Sequence, residues 1–191
     1  LYMKRIAIFA SGNGSNAENI VKYFKDNSTI KVEMLASNNP KAGVLDRVKK
    51  YGIKTFIFDK VELVNGKVLK ELQFQKISFI VLAGFLLKMP QTIIRPYLNN
   101  IINIHPSLLP LYGGKGMYGI HVHKKVSKSK DLESGITIHF VNNSYDDGAI
   151  IFQAKCSLYP NIKPKEIQKK VHKLEIKFLP LVIQNLLDVN D

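Results

Sequence analysis

A single cysteine, Cys156, stands among the 191 residues, so no intrachain disulfide can form. That suits a reducing compartment, the cytoplasm, and removes every thiolate-rich zinc site. Long apolar runs are missing too. The longest, residues 77–87, carries Ser78 and Gly84 and falls short of the roughly 18 to 20 residues that span a membrane. No secretory leader is expected, because Lys4 and Arg5 precede only a short apolar stretch before Ser11 and Gly12. Leu1 and Tyr2 precede the first methionine, Met3, and are set aside from the fold reading. Acidic residues are few, 15 against 28 Lys and Arg, which leaves a net charge of +13. Such a balance attracts polyanions. The lysines are scattered, however (Lys22, Lys25, Lys31, Lys49, Lys50, Lys169, Lys170, Lys173), with no arginine block and no aromatic–basic interleaving. A small phosphorylated substrate is therefore expected rather than nucleic acid.

What is present is the composition of an ordinary globular protein, 46% hydrophobic and 23% charged. One domain, over residues 3–188, is expected from this length. Short apolar runs at residues 6–10, 32–36, 55–58, 79–83 and 101–104 read as strands. Helical spacing at residues 17–25, 44–50 and 68–74 alternates with them, and Gly52 reads as a C-terminal cap. That alternation predicts an α/β fold, a mostly parallel central sheet flanked by helices. The second half differs. Residues 135–141 and 149–158 are alternating runs joined by a polar loop, which predicts an antiparallel edge. A closing helix is expected over residues 164–187, bent at Pro180.

Three segments carry candidate chemistry. Ser11-Gly12-Asn13-Gly14-Ser15-Asn16 lies between the first strand and the first helix, where converging N–H groups and a helix N-terminus suit a phosphate. It is neither the dinucleotide fingerprint, since the third glycine is absent and Glu18 falls too early, nor a Walker loop. The alternative is a plain turn with Ser15 or Asn16 as N-cap. In Asn103-Ile104-His105-Pro106-Ser107, the amide and the imidazole share one face at the C-terminal end of a strand. They make a natural oxyanion-stabilising pair, or else a strand-end histidine bonded to a carbonyl. The loop 142–148 holds Asp146 and Asp147, and a carboxylate beside a histidine orients the ring. Here the alternative is a solvated turn. His121 and His123 lack a third metal ligand, His139 reads as a packed or surface residue, and Cys156 as a buried strand residue.

Together these segments resemble the phosphoribosylglycinamide formyltransferase family, over nearly the whole chain. The resemblance rests on residues 11–16, Leu82-Ala83-Gly84-Phe85, Asn103-Ile104-His105-Pro106-Ser107-Leu108-Leu109-Pro110, Ser134-Gly135-Ile136-Thr137-Ile138-His139-Phe140-Val141, and Asp146 followed by Gly148. It implies a Rossmann-like formyltransferase fold, and formyl transfer from 10-formyltetrahydrofolate to the glycinamide amine in purine (IMP) synthesis. No metal, nucleic acid or membrane is implied, and the protein works as a monomer or homodimer. By the same resemblance Asn103, His105 and Asp146 form the catalytic trio. Gly14, Ser15 and Asn16 hold the substrate phosphate, and His172 and Glu175 meet the ribose region. Leu86, Leu87, Lys88, Met89, Asn103, Asn142, Tyr145 and Asp146 line the folate pocket. Leu87 stands where some members carry arginine, His172 where glutamine is frequent, and residues 112–120 form a longer, glycine-rich loop.

The resemblance further implies that the amine attacks the formyl carbon, with Asn103 and His105 stabilising the negative oxygen and Asp146 relaying the proton. A methionyl-tRNA formyltransferase-like domain and a formyltetrahydrofolate hydrolase share the trio. The first carries a C-terminal tRNA-contacting domain and the second an N-terminal regulatory one. Neither is expected here, because the first strand starts at Lys4 and the closing helix ends the chain.

Overall fold

Alternation along the opening strand decides the architecture. In β1 (Lys4–Phe9), Ile6 and Ile8 belong to one core and Ala7 and Phe9 to another, and all four are fully buried. A strand apolar on both faces must be covered on both. In the computed structural model, which describes residues 3–188, it is. Leu1 and Tyr2, set aside above, lie outside the described residues.

Strands β2 (Ile30–Ser37), β3 (Lys54–Ile57), β4 (Phe79–Leu82), β5 (Ile101–His105), β6 (Glu133–Phe140) and β7 (Ile150–Ser157) join β1 in one sheet, ordered β3-β2-β1-β4-β5-β6-β7. β1 to β5 run parallel, whereas β6 pairs antiparallel with both β5 and β7. The Ile6 face packs under α1 (Ser15–Tyr23), α2 (Gly43–Lys49), α6 (Ile120–Ser129) and α7 (Pro164–Asp188). The Phe9 face packs under α3 (Lys60–Val64), α4 (Lys67–Phe74) and α5 (Gln91–Ile94). α7 runs on through Pro180 to its end at Asp188.

The chain builds outward from β1 to β3, then returns to lay β4 on the other side of β1. At such a switch point the loops leaving the strands diverge and open a crevice at their C-terminal ends. Ser11 holds that crevice together. Its hydroxyl donates to Asn38 Oδ1 at 2.6 Å and accepts from the Leu86 N–H at 3.1 Å, so the loops after β1, β2 and β4 share one side chain.

Helices α3, α5 and α6 were not anticipated by hydrophobic spacing. α3 carried a signal: Asp59 and Glu62 form a reciprocal capping box. α6 is short, basic and β-branched, and only tertiary packing of Val122 and Val126 explains it.

Candidate active site

The first wall of the crevice is the turn from β1 into α1. Its N-cap is Gly14, at φ 79°, and no side chain caps the helix. The plain-turn alternative, with Ser15 or Asn16 as N-cap, is thereby replaced by an N-terminus whose first-turn N–H groups stay open to a ligand. Only glycine fits at this position, since a Cβ would fall 2.1 Å from Val44 Cγ2. α2 braces the turn in a second way: the Arg47 guanidinium donates to Asn13 Oδ1 at 3.1 and 3.2 Å and to Glu18 Oε2 at 2.9 Å. Lys50 above all, then Arg47, holds the buried Glu18 carboxyl down at about 2.

The second wall is the end of β5. Asn103 and His105 project there, two residues apart, with the His105 side chain only 4% exposed. Below them the turn 106–111 is pinned by β6, where Thr137 accepts from the Leu109 N–H and donates to Ser107 O. Across the gap, the loop after β6 swings Asp146 inward. His105 Nδ1 and Asn103 Nδ2 each lie 3.4 Å from the same oxygen, Asp146 Oδ1. The other carboxylate oxygen accepts the Gly114 N–H at 2.9 Å, and Tyr112 O faces His105 Nε2 at 2.8 Å. Both ring nitrogens of His105 therefore face acceptors, an arrangement that a doubly protonated ring satisfies. Burial opposes the charge on Asp146, yet the His105 imidazole above all outweighs it and holds the carboxyl well below the usual carboxylate range. Asp147 turns outward and accepts from Asn142 Nδ2 at 3.3 Å. Gly148 fixes the loop's exit, since a Cβ there would fall 1.7 Å from Phe140 O.

α7 supplies the third wall. Glu175 Oε2 accepts from Asn16 Nδ2 at 3.1 Å and pairs with His172 Nδ1 at 2.9 Å. The carboxylate pushes the His172 imidazole up from its ordinary value. One cavity of about 1040 Å³ joins all three walls.

The structure therefore brings together, on that cavity, Gly14, Ser15, Asn16, Leu86, Asn103, His105, Tyr145, Asp146, His172 and Glu175. It does not bring Leu87, Lys88, Met89 or Asn142 to the cavity wall. Met89 is buried in the core beneath Phe9, and Leu87 packs against that core. Other residues on or behind the cavity were not assigned to the site from the sequence. Arg47 and His123 line the cavity, and His139 is buried behind the trio with Nε2 at 3.1 Å from Asn103 Nδ2. Arg47 had no local motif. His139 had one usable signal, because an antiparallel β5–β6 pair sets it directly opposite Asn103. His121 meets Tyr118 edge to face, and no group of His, Cys, Asp or Glu among the described residues is arranged to hold a metal ion.

Residues 4–183 match the family described as formyl transferase. The chloroplastic phosphoribosylglycinamide formyltransferase of Arabidopsis thaliana is 35% identical over 192 residues, covering 95% of this chain and 66% of its own length. That of Bacillus subtilis is 34% identical over 195 residues, covering 99% of this chain and 97% of its own. The crystal structure of phosphoribosylglycinamide formyltransferase from Bacillus halodurans superposes with a TM-score of 0.89 at 32% identity, covering 98% of this chain and 97% of that one. The chain thus spans just under two thirds of the plant relative and nearly all of the two bacterial ones.

Proposed function

The chain belongs to the formyl transferase family, and on that premise we propose that it formylates the amine of phosphoribosylglycinamide in purine nucleotide synthesis. The observation that carries this reading is one cavity joining the open N-terminus of α1 to the convergence of His105 and Asn103 on Asp146. The first element suits a phosphate and the second an acyl-transfer centre. No helix among the described residues is long and apolar enough to cross a membrane.

The formyl group comes from 10-formyltetrahydrofolate, and the cavity fits that co-substrate on its own terms. Phe85, Leu86, Ile104 and Met117 give it an apolar wall beside the trio, where a planar ring system would lie. Gly14, Ser15 and Asn16 hold the substrate phosphate, and Glu175, oriented by Asn16 and His172, accepts from the ribose hydroxyls. Asn103 and His105 donate to the formyl oxygen as charge develops on it. Their 3.4 Å contacts to Asp146 are longer than the roughly 2.7 to 2.9 Å of a formed charge-assisted bond, so both donors have reach in hand for a third oxygen. Asp146 compensates the charge on the imidazole and orients a water that relays the amine's proton to the folate nitrogen as its bond to the formyl carbon breaks. No side chain serves as a nucleophile.

On this reading residues 3–188 form a single formyl-transfer domain, working in the cytoplasm. Cofactor turnover, followed spectrophotometrically with and without phosphoribosylglycinamide, tests the function. Turnover strictly dependent on the ribonucleotide supports it. Turnover that ignores the ribonucleotide would point to a formyltetrahydrofolate hydrolase and overturn it.

A further inference from the structure

Among the described residues, the buried side-chain atoms without a hydrogen-bond partner are Asn16 Oδ1, His123 Nδ1 and Ser134 Oγ. The first two belong to residues lining the same cavity. A buried polar atom left unpaired destabilises the folded chain, so one kept at a cavity wall calls for a ligand. His123 is the sharper case. It sits in the first turn of α6, is 2% exposed, and its Nδ1 has no hydrogen-bond partner among the described residues. The loop 112–119, which contacts both His105 and Asp146, leads straight into that turn.

Two groups act on His123 electrostatically, Glu175 from α7 and His105 from β5. Burial dominates and lowers its imidazole to about 4, so the ring is neutral near pH 7. A neutral imidazole offers one donor and one acceptor nitrogen. The amide link of a glycinamide offers a C=O and an N–H, so either tautomer finds its complement there. We propose that His123 binds the glycinamide segment of the substrate through Nδ1, between the ribose end at Glu175 and the reacting end at His105. The assignment rests on the function proposed above. Its role is binding and alignment, since a ring this hard to protonate is a poor base for an alkyl amine.

Calorimetric titration of the full chain with phosphoribosylglycinamide, and separately with ribose 5-phosphate, tests the assignment. Ribose 5-phosphate shares the phosphate and the sugar but lacks the glycinamide arm. His123→Leu is expected to weaken the first ligand about tenfold, the scale of one lost hydrogen bond, and to leave the second unchanged. Its melting temperature is expected to stay level or rise, because the unpaired atom is gone. His123→Asn, which keeps a polar atom near the position of Nδ1, is expected to bind within about threefold of wild type. Should the Leu variant fail to fold, His123→Gln serves instead: its amide reaches toward the Nε2 position, so the tenfold loss is expected there too. Wild-type affinity for the ribonucleotide in the variants, or equal loss for both ligands, would overturn the proposal. A wild-type chain that does not bind phosphoribosylglycinamide would overturn the underlying function instead.

Discussion

Asn103 and His139 stand directly opposite each other on β5 and β6, and the Asn103 amide nitrogen lies 3.1 Å from His139 Nε2. His139 Nδ1 in turn faces Phe140 O at 2.8 Å. With the Nδ1 proton given to that carbonyl, Nε2 is left to accept from Asn103, whose other N–H faces Asp146. On its other side β6 meets a register shift between Ile138 and His139, where Ile151 of β7 is the extra residue, while the pairing of His139 with Asn103 stays regular. His139 is thus a positioning residue that orients the amide of the trio.

Replacing His139 with Phe keeps the ring and removes the acceptor. The expected result is a roughly tenfold fall in kcat with KM for the ribonucleotide little changed, the scale of one lost buried hydrogen bond. Steady-state kinetics with each substrate varied in turn reads the split. A purely structural role would lower the melting temperature and leave kcat per folded molecule intact.

Asn16 offers a separable test of the phosphate loop. Its Nδ2 is tied to Glu175 and it stands in the open first turn of α1. Asn16→Ala is expected to cost about 1.5 to 3 kcal/mol in ribonucleotide binding, the range for a hydrogen bond to a charged group. Folate binding, measured by separate titration, is expected to change by less than twofold.

Glu18 makes an acid-stability prediction. Lys50, Arg47, Tyr51 and Lys22 hold its carboxyl at about 2, against an ordinary 4.5. The folded chain therefore binds this proton less readily than the unfolded one. Its contribution is complete above about pH 4.5 and is lost as pH falls toward 2. The cations around it are well exposed, so solvent screening reduces the effect to about 1 to 2 kcal/mol. Glu18→Gln is expected to lose that amount at pH 7 and to show a flatter decline between pH 5 and 2. Denaturant titrations across that range measure both.

Much of this site was legible in the primary structure. Ile6 to Phe9 announced a two-faced strand, Gly14 an open helix N-terminus, and Asn103 and His105 a shared face. What could not be read were relationships across the sheet. Nothing local to Arg47 says that it braces Asn13, nor does the Ile-Thr-Ile-His alternation reveal that Asn103 is the residue opposite His139. α6 was hidden for the same reason: its residues are helical because Val122 and Val126 have a core to fill. Met89 shows the converse, since Leu86 lies on the cavity wall but three residues on the Met89 side chain is drawn into the core. Periodicity reports which residues are buried, and packing alone reports against what.

The adjacent aspartates give the most discriminating test of the trio. Asp146 carries φ 54° and turns inward, where one oxygen faces His105 and Asn103 and the other accepts the Gly114 N–H. Asp147 is exposed and bonded to Asn142. Asp146→Asn preserves the shape but removes the charge, and its NH2 group confronts donors on Asn103 and Gly114. Turnover is expected to fall roughly 10²-fold or more, the scale of losing acid–base or oxyanion support. Asp147→Asn removes a charge of the same sign one residue away, at a position already in solvent, and is expected to stay within about twofold of wild type. A general electrostatic effect of the loop would lower both variants alike. Parallel kcat measurements, with melting temperatures as the control for folding, separate these outcomes. Loss concentrated in the Asp147 variant would move the working carboxylate to the outer position and dissolve the trio as assigned.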